Sequence, residues 1–192
     1  KSVSNRTKEA LTDLVILDTT GSTNDEAKKK LSEIVSFNQS YAVFAEQQLS
    51  GRGRSGKKWV SPANLNIYFS LAWKSLLKPS ELEGLSLSVA VVVSKKLKPI
   101  LTEPLKIKWP NDILVNKKKI AGILIENSLQ KNMIASSIIG IGLNINQQHF
   151  EGINHATSLA IETRKSHLLK DVLWKILNQL KLQLTLLEAN QY

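Results

Sequence analysis

Glu46 to Pro62 reads EQQLSGRGRSGKKWVSP, and its residue types suit an anion. Gly51, Gly53 and Gly56 alternate with Arg52, Arg54, Lys57 and Lys58. Glycine lets a backbone approach a ligand closely and aim several N–H groups one way. Arginine adds planar forks that match carboxylate or phosphate oxygens. No acid lies between Gln47 and Pro62. The expectation is therefore a loop that repels itself until an anion orders it. A flexible basic surface loop has the same composition, so the loop alone decides nothing. It is not a Walker A motif, because GRGRSGKK lacks the GxxxxGK[ST] spacing. Lys57 and Lys58 read as loop solvation rather than chemistry.

Three further clusters carry polar or glycine residues where a ligand could use them. Gly21-Ser22-Thr23-Asn24 sits at a strand-to-helix turn, where a helix start exposes N–H groups and small hydroxyls. A cap accounts for Thr23 and leaves Ser22 and Asn24 free to bond a neutral polar group. Lys108-Trp109-Pro110-Asn111-Asp112, then Lys119-Ile120-Ala121-Gly122, puts Lys108, Asn111, Asp112 and Lys119 on a hairpin and its approach. A solvated hairpin often carries lysines, but the bulky, rigid pair Trp109-Pro110 is unusual in one. Gly140-Ile141-Gly142-Leu143-Asn144 puts glycines in an apolar strand end, which suggests a tight strand end or a close neighbour. His149, His155 and His167 share no metal-ligand spacing, and no serine sits in a nucleophile elbow.

The elements that must position these clusters follow from pattern. Leu14–Leu17 reads as a buried strand ending in a turn at 18–21. Thr23 to Glu26 reads as a capping box that opens a helix to about Ser36, with Ala27, Leu31, Ile34 and Val35 inward. Tyr41–Ala45 and Asn66–Trp73 read as strands. Ser80 to Glu83 reads as a second capping box. The helix that follows, to about Leu97, is apolar nearly all round and expected to be buried. Lys106–Trp109, Ile113–Val115, Lys119–Asn127 and Met133–Leu143 read as strands, with a hairpin turn at 116–118. A short helix is expected near Thr157–Glu162, and a long amphipathic one from Ser166. The fold class is α+β: a mixed, mainly antiparallel sheet with packed helices, in one domain over 1–192.

The chain has 192 residues and a net charge of +10, which suggests an anionic partner. It has no cysteine, which excludes a thiol nucleophile and a disulfide scaffold and fits a cytoplasmic protein. No apolar run reaches membrane length. A nucleic-acid-binding module would explain the charge. It would not explain Trp109-Pro110-Asn111-Asp112 or Gly21-Ser22-Thr23-Asn24, and no reading helix is recognisable, so no specific nucleic acid is expected.

Taken in order, the stretches GSTNDEA (21–27), AEQQLSGRGRSGKKWVSP (45–62), NLNIYFSL (64–71), KWPNDILVNKKKIAGILIE (108–126) and GIGLNIN (140–146) resemble the catalytic domain of biotin protein ligases. The resemblance implies a fold like that of class II aminoacyl-tRNA synthetases. It implies ATP and Mg²⁺ as requirements, biotin as substrate, and the biotin carboxyl carrier protein as acceptor. The lipoate–protein ligases share the fold and remain the enzyme alternative. Ser22, Thr23, Asn24 and Gln48 would surround the ureido ring of biotin. Arg52, Gly53, Arg54 and Lys119 would meet its carboxylate. Arg54, Trp59, Asn111, Asp112, Lys119 and Asn144 would meet ATP, with Arg54, Lys119 and Lys108 catalytic and Asp112 on Mg²⁺. Some family members carry an N-terminal helix-turn-helix, and most a small C-terminal β-barrel. Neither is expected within this chain. The oligomeric state stays open, a homodimer among the options.

Overall fold

The computed structural model describes residues 12–34 and 40–189. Its centre is a seven-stranded sheet in the order β1-β2-β3-β7-β6-β5-β4. The strands are β1 (Thr12–Thr20), β2 (Ser40–Gln48), β3 (Ile67–Leu77), β4 (Leu105–Lys108), β5 (Asp112–Val115), β6 (Lys118–Gln130) and β7 (Met133–Leu143). β1 and β2 run parallel and the other pairings are antiparallel. The parallel pair needs a crossover, supplied by α1 (Thr23–Lys30). The remaining helices are α2 (Leu85–Leu97), α3 (Leu159–Thr163) and α4 (Leu169–Glu188).

Side-chain alternation splits the sheet into two unequal faces. Ile67, Phe69, Leu71 and Trp73 of β3 join Ile139, Ile141 and Leu143 of β7 under α2 and α4, forming the main core. On the other face Ala72 and Ile138 pack under Ala27 of α1 in a smaller core. Further along that second face Ser70 lies in register with Gly140 and Leu124, and Tyr68 with Gly142 and Gly122. Small residues there leave room above the sheet.

Several local expectations are corrected. Residues 18–20 continue β1, because Thr19 and Thr20 pair with Gln47 and Gln48. Ser22, not Thr23, is the N-cap of α1, in extended conformation and without a side-chain cap bond. Glu26 accepts from Thr20 Oγ1 at 3.2 Å instead of closing a capping box. The Thr23 N–H goes to Gln48 Oε1, an acceptor that β2 delivers. α1 stops at Lys30 and tightens into a 3₁₀ turn at Leu31–Glu33; Val35 and Ser36 lie outside the described residues. α2 starts after a left-handed Gly84, and Glu81 instead accepts from the Lys78 N–H. α2 also keeps Leu87 exposed, since the sheet and α4 do not cover its whole circumference. The strand-rich reading of the middle and the helix at 85–97 agree with the structure.

Candidate active site

The parallel pairing of β1 and β2 brings two of the clusters together. Both strands end at the same edge, so the turn after β1 lies beside the glycine loop after β2. Leu49 N–H donates to Thr20 O at 2.9 Å and Ser50 N–H to Gly21 O at 2.8 Å. From there a hydrogen-bond chain crosses the floor. The Ser70 hydroxyl lies 2.8 Å from Thr23 Oγ1 and 2.5 Å from Asn24 Oδ1. Thr23 Oγ1 donates to Gln48 Oε1 at 3.1 Å, Gln48 Nε2 donates to Ser61 Oγ, and Ser61 donates to Trp59 O. Ser22, Thr23 and Asn24 are buried. The residues that line this end, Ser22, Thr23, Asn24 and Gln48, carry no charge.

The glycines of β6 and β7 explain how side chains fit on that floor. A Cβ on Gly140 would overlap the Asn24 amide, and one on Gly142 or Gly122 would overlap the Trp59 indole. Trp59 therefore lies flat against the sheet. Its Nε1–H is buried and has no acceptor among the described residues. Lys119 Nζ stands 5.1 Å from the centre of the Trp59 ring and 2.6 Å from Asp112 Oδ1. β6 carries one extra residue, Ile120, opposite the Ile113/Leu114 step, and such bulges re-aim neighbouring side chains. The Lys119 backbone is pinned by its N–H to His155 O and its carbonyl to Thr157 N–H.

One cavity of about 720 Å³ collects these groups. Every site residue expected from the sequence lines it: Ser22, Thr23, Asn24, Gln48, Arg52, Gly53, Arg54, Trp59, Lys108, Asn111, Asp112, Lys119 and Asn144. The size suits a small molecule or cofactor. The charge is one-sided: Arg52, Arg54, Lys57, Lys58, Lys108, Lys117 and Lys119 face it against one carboxylate among the described residues, Asp112. Asn111 and Asn144 are partly committed to structure. Asn111 Nδ2 donates to Ile123 O, and Asn144 Nδ2 donates to Thr157 O.

Lys57 and Lys58, read as loop solvation, are exposed and also line the cavity. Nothing in the sequence pointed to Lys117 or to the wall of Phe150, Ile153, His155 and Ala156. The wall comes from an irregular segment with no periodic signal. Trp109 is 79% exposed and is not among the lining residues, so its bulk does not mark the site itself. The loop has acidic partners outside its own sequence. Gly53 N–H donates to Lys57 O and Trp59 N–H to Gly51 O, closing a small hairpin whose tip turns at Ser55 and Gly56 with positive φ. Arg52 forks onto Asp25, with Nη1–Oδ2 at 2.6 Å and Nη2–Oδ1 at 2.8 Å, and reaches Glu126 at 3.4 Å. The hydrogen bond from Arg52 and its charge hold the Asp25 carboxyl below its ordinary range, and Asp25 raises that of Arg52. Both acids come from other elements, so inspecting the loop alone could not reveal them.

Fold and site together define an α+β domain with a small-molecule cavity, neutral and amide-lined at one end and cationic at the other. The chain belongs to the biotin/lipoate A/B protein ligase family, whose model matches residues 16–144. It is 34% identical over 138 residues to the bifunctional ligase/repressor BirA of Escherichia coli, covering 72% of this chain and 42% of that protein. The chain thus spans less than half the length of that relative. The biotin protein ligase of Aquifex aeolicus in complex with biotin and ATP matches 93% of this chain and 73% of its own, at TM-score 0.73 and 35% identity. That of Leishmania major in complex with biotinyl-5-AMP matches 88% and 73%, at TM-score 0.74 and 27% identity.

Proposed function

We propose that this domain activates biotin with ATP and transfers it to a protein lysine. The biotin carboxylate attacks the α-phosphorus, pyrophosphate leaves, and biotinyl-5′-AMP forms. The ε-amine of an acceptor, a biotin carboxyl carrier protein, then attacks the acyl carbon and AMP leaves. The observation that carries this reading is the cavity's polarity. The uncharged Ser22–Thr23–Asn24–Gln48 end suits a ureido ring, and the cationic end suits a carboxylate beside phosphates.

The first step brings two anions together. At about 4 Å, two unit charges near a protein surface repel by roughly 4 kcal/mol. Arg54 and Lys119 cancel this and stabilise charge developing at phosphorus, with Lys108 helping at the phosphates. Gly53 offers close backbone approach. Arg52 serves as an anchor of the loop, since its fork is engaged by Asp25. Trp59, Asn111 and Asn144 shape the nucleotide side. Mg²⁺ fits as a companion of the phosphates, because the cavity offers only Asp112 and the described residues hold no cluster of metal ligands. The solved relatives named above bind biotin, which favours biotin over lipoate.

The test is pyrophosphate release from MgATP with biotin, with lipoate and with neither. Release should require biotin. Release with lipoate alone would move the domain to the sister activity.

A further inference from the structure

Asn24 faces the cavity with an amide whose two ends are chemically opposite, an N–H donor and an oxygen acceptor. A half-turn about its last side-chain bond would swap them with almost no change of shape. Which end points where decides what a ureido ring meets. The choice is made by residues from distant strands. Glu126, on the site face of β6, accepts from Asn24 Nδ2 at 2.6 Å. The Ser70 hydroxyl, on β3, donates to Asn24 Oδ1 at 2.5 Å. A carboxylate only accepts, so an amide oxygen turned toward Glu126 would meet it lone pair to lone pair. Ser70 can donate or accept and would tolerate either orientation. The selection therefore lies with Glu126. Gly140 gives the amide its place, since a Cβ there would overlap Asn24 Oδ1.

Glu126 does not line the cavity and has no part in the chemistry proposed above. We propose that it is a positioning residue: its carboxylate fixes the orientation of the Asn24 amide, and so the order of donor and acceptor that the neutral end presents to a ureido ring. This rests on the biotin reading. Asn24 is buried, so water cannot repair a wrong orientation, and a donor set against a ureido N–H leaves both unpaired. The bond is charge-assisted, hence stronger than a neutral one, which sustains the bias although Glu126 is half exposed. The same carboxylate lies 3.4 Å from Arg52 Nη2, a longer contact, so an effect through Asn24 has to be separated from one through Arg52.

Calorimetry of biotin binding to the full chain, without ATP, reads the effect directly. Glu126→Gln keeps the size, removes the charge, and can pair with either end of Asn24. It should weaken biotin binding about tenfold, the ratio that about 1.4 kcal/mol gives. The KM for MgATP and the kcat of pyrophosphate release should stay near those of the unaltered protein. Asn24→Ala removes the amide, and adding Glu126→Gln to it should cost nothing more, because the effect runs through Asn24. A group acting through Arg52 or through global stability would add its loss in both backgrounds. Unchanged biotin affinity in Glu126→Gln, or a full further loss in the Asn24→Ala background, overturns the positioning role and leaves the biotin reading standing. If Glu126→Gln fails to fold, Glu126→Ala with and without Asn24→Ala gives the same comparison. Absence of biotin binding by the unaltered protein overturns the biotin reading and the positioning role together.

Discussion

Lys119 and Arg54 differ in how the protein holds them. Lys119 is half-buried, paired with Asp112 and set over Trp59, with its backbone fixed on both sides. Arg54 stands exposed at the loop tip and makes no ion pair with a described residue. Both face the same cavity. Lys119→Ala and Arg54→Ala should each slow adenylate formation by 10²-fold or more, on the order of 3 kcal/mol, the scale of one lost charge-stabilising donor. Thermal midpoints should shift little, because neither side chain belongs to the core. Single-turnover formation of the AMP ester measures this, and unchanged rates in both variants would remove the proposed roles. The glycine loop and the hairpin lysines of the cavity were legible as glycines beside cations, and its uncharged end through the resemblance; Lys117 and the wall at 150–156 were not. Asp25 and Glu126 were not, because a lone acid on a helix or strand looks like solvated surface until the fold sets it beside Arg52.

Elements were legible where periodicity had no competitor. β7 was read to the residue from a largely apolar stretch that Ser136 and Ser137 interrupt, and α2 was read as helix despite its Val91–Val93 stretch. The cap of α1 was misread because a tertiary partner overrode the local one: Gln48 supplies the acceptor that a Thr23–Glu26 box would have supplied. The β7–α4 connection shows the same dependence. The His167 N–H donates to Asn146 Oδ1, its carbonyl accepts from Asn146 Nδ2, and its ring Nε2 lies 2.7 Å from Thr163 Oγ1. Burial and the nearby Lys165 both disfavour the imidazolium, so the folded His167 titrates below the ordinary histidine value of 6.5. Its contribution is therefore complete above pH 6.5 and lost as pH falls through the lowered folded value. Urea midpoints measured from pH 7.5 down to 5 should fall for the unaltered protein and fall less for His167→Gln. Identical slopes would mean that His167 is not the group responsible.

The net charge of +10 admits two readings at the scale of the whole molecule: a nucleic-acid surface, or a focus for small anions. The distribution separates them. Arginines and lysines from the glycine loop, β4, the β5–β6 turn and β6 converge on one cavity of about 720 Å³. A space of that size admits a nucleotide and a vitamin-sized acid, not a duplex. A duplex could touch only the rim, through phosphates, and phosphate contacts carry no sequence information. Binding of this kind is driven by counterion release and is typically no tighter than about 10⁻⁴–10⁻⁶ M at physiological salt. Two unrelated duplexes should therefore bind equally and weakly, and both should be shed as salt rises. Because their contacts would be the cavity's own cations, either duplex should also slow biotin-dependent pyrophosphate release, and ATP should relieve the inhibition. Anisotropy titrations of both duplexes at two salt concentrations, run beside the release assay, measure each part. Tight binding to one sequence that survives moderate salt and leaves pyrophosphate release untouched would place the nucleic-acid contact elsewhere on the molecule and show that the charge serves a second surface.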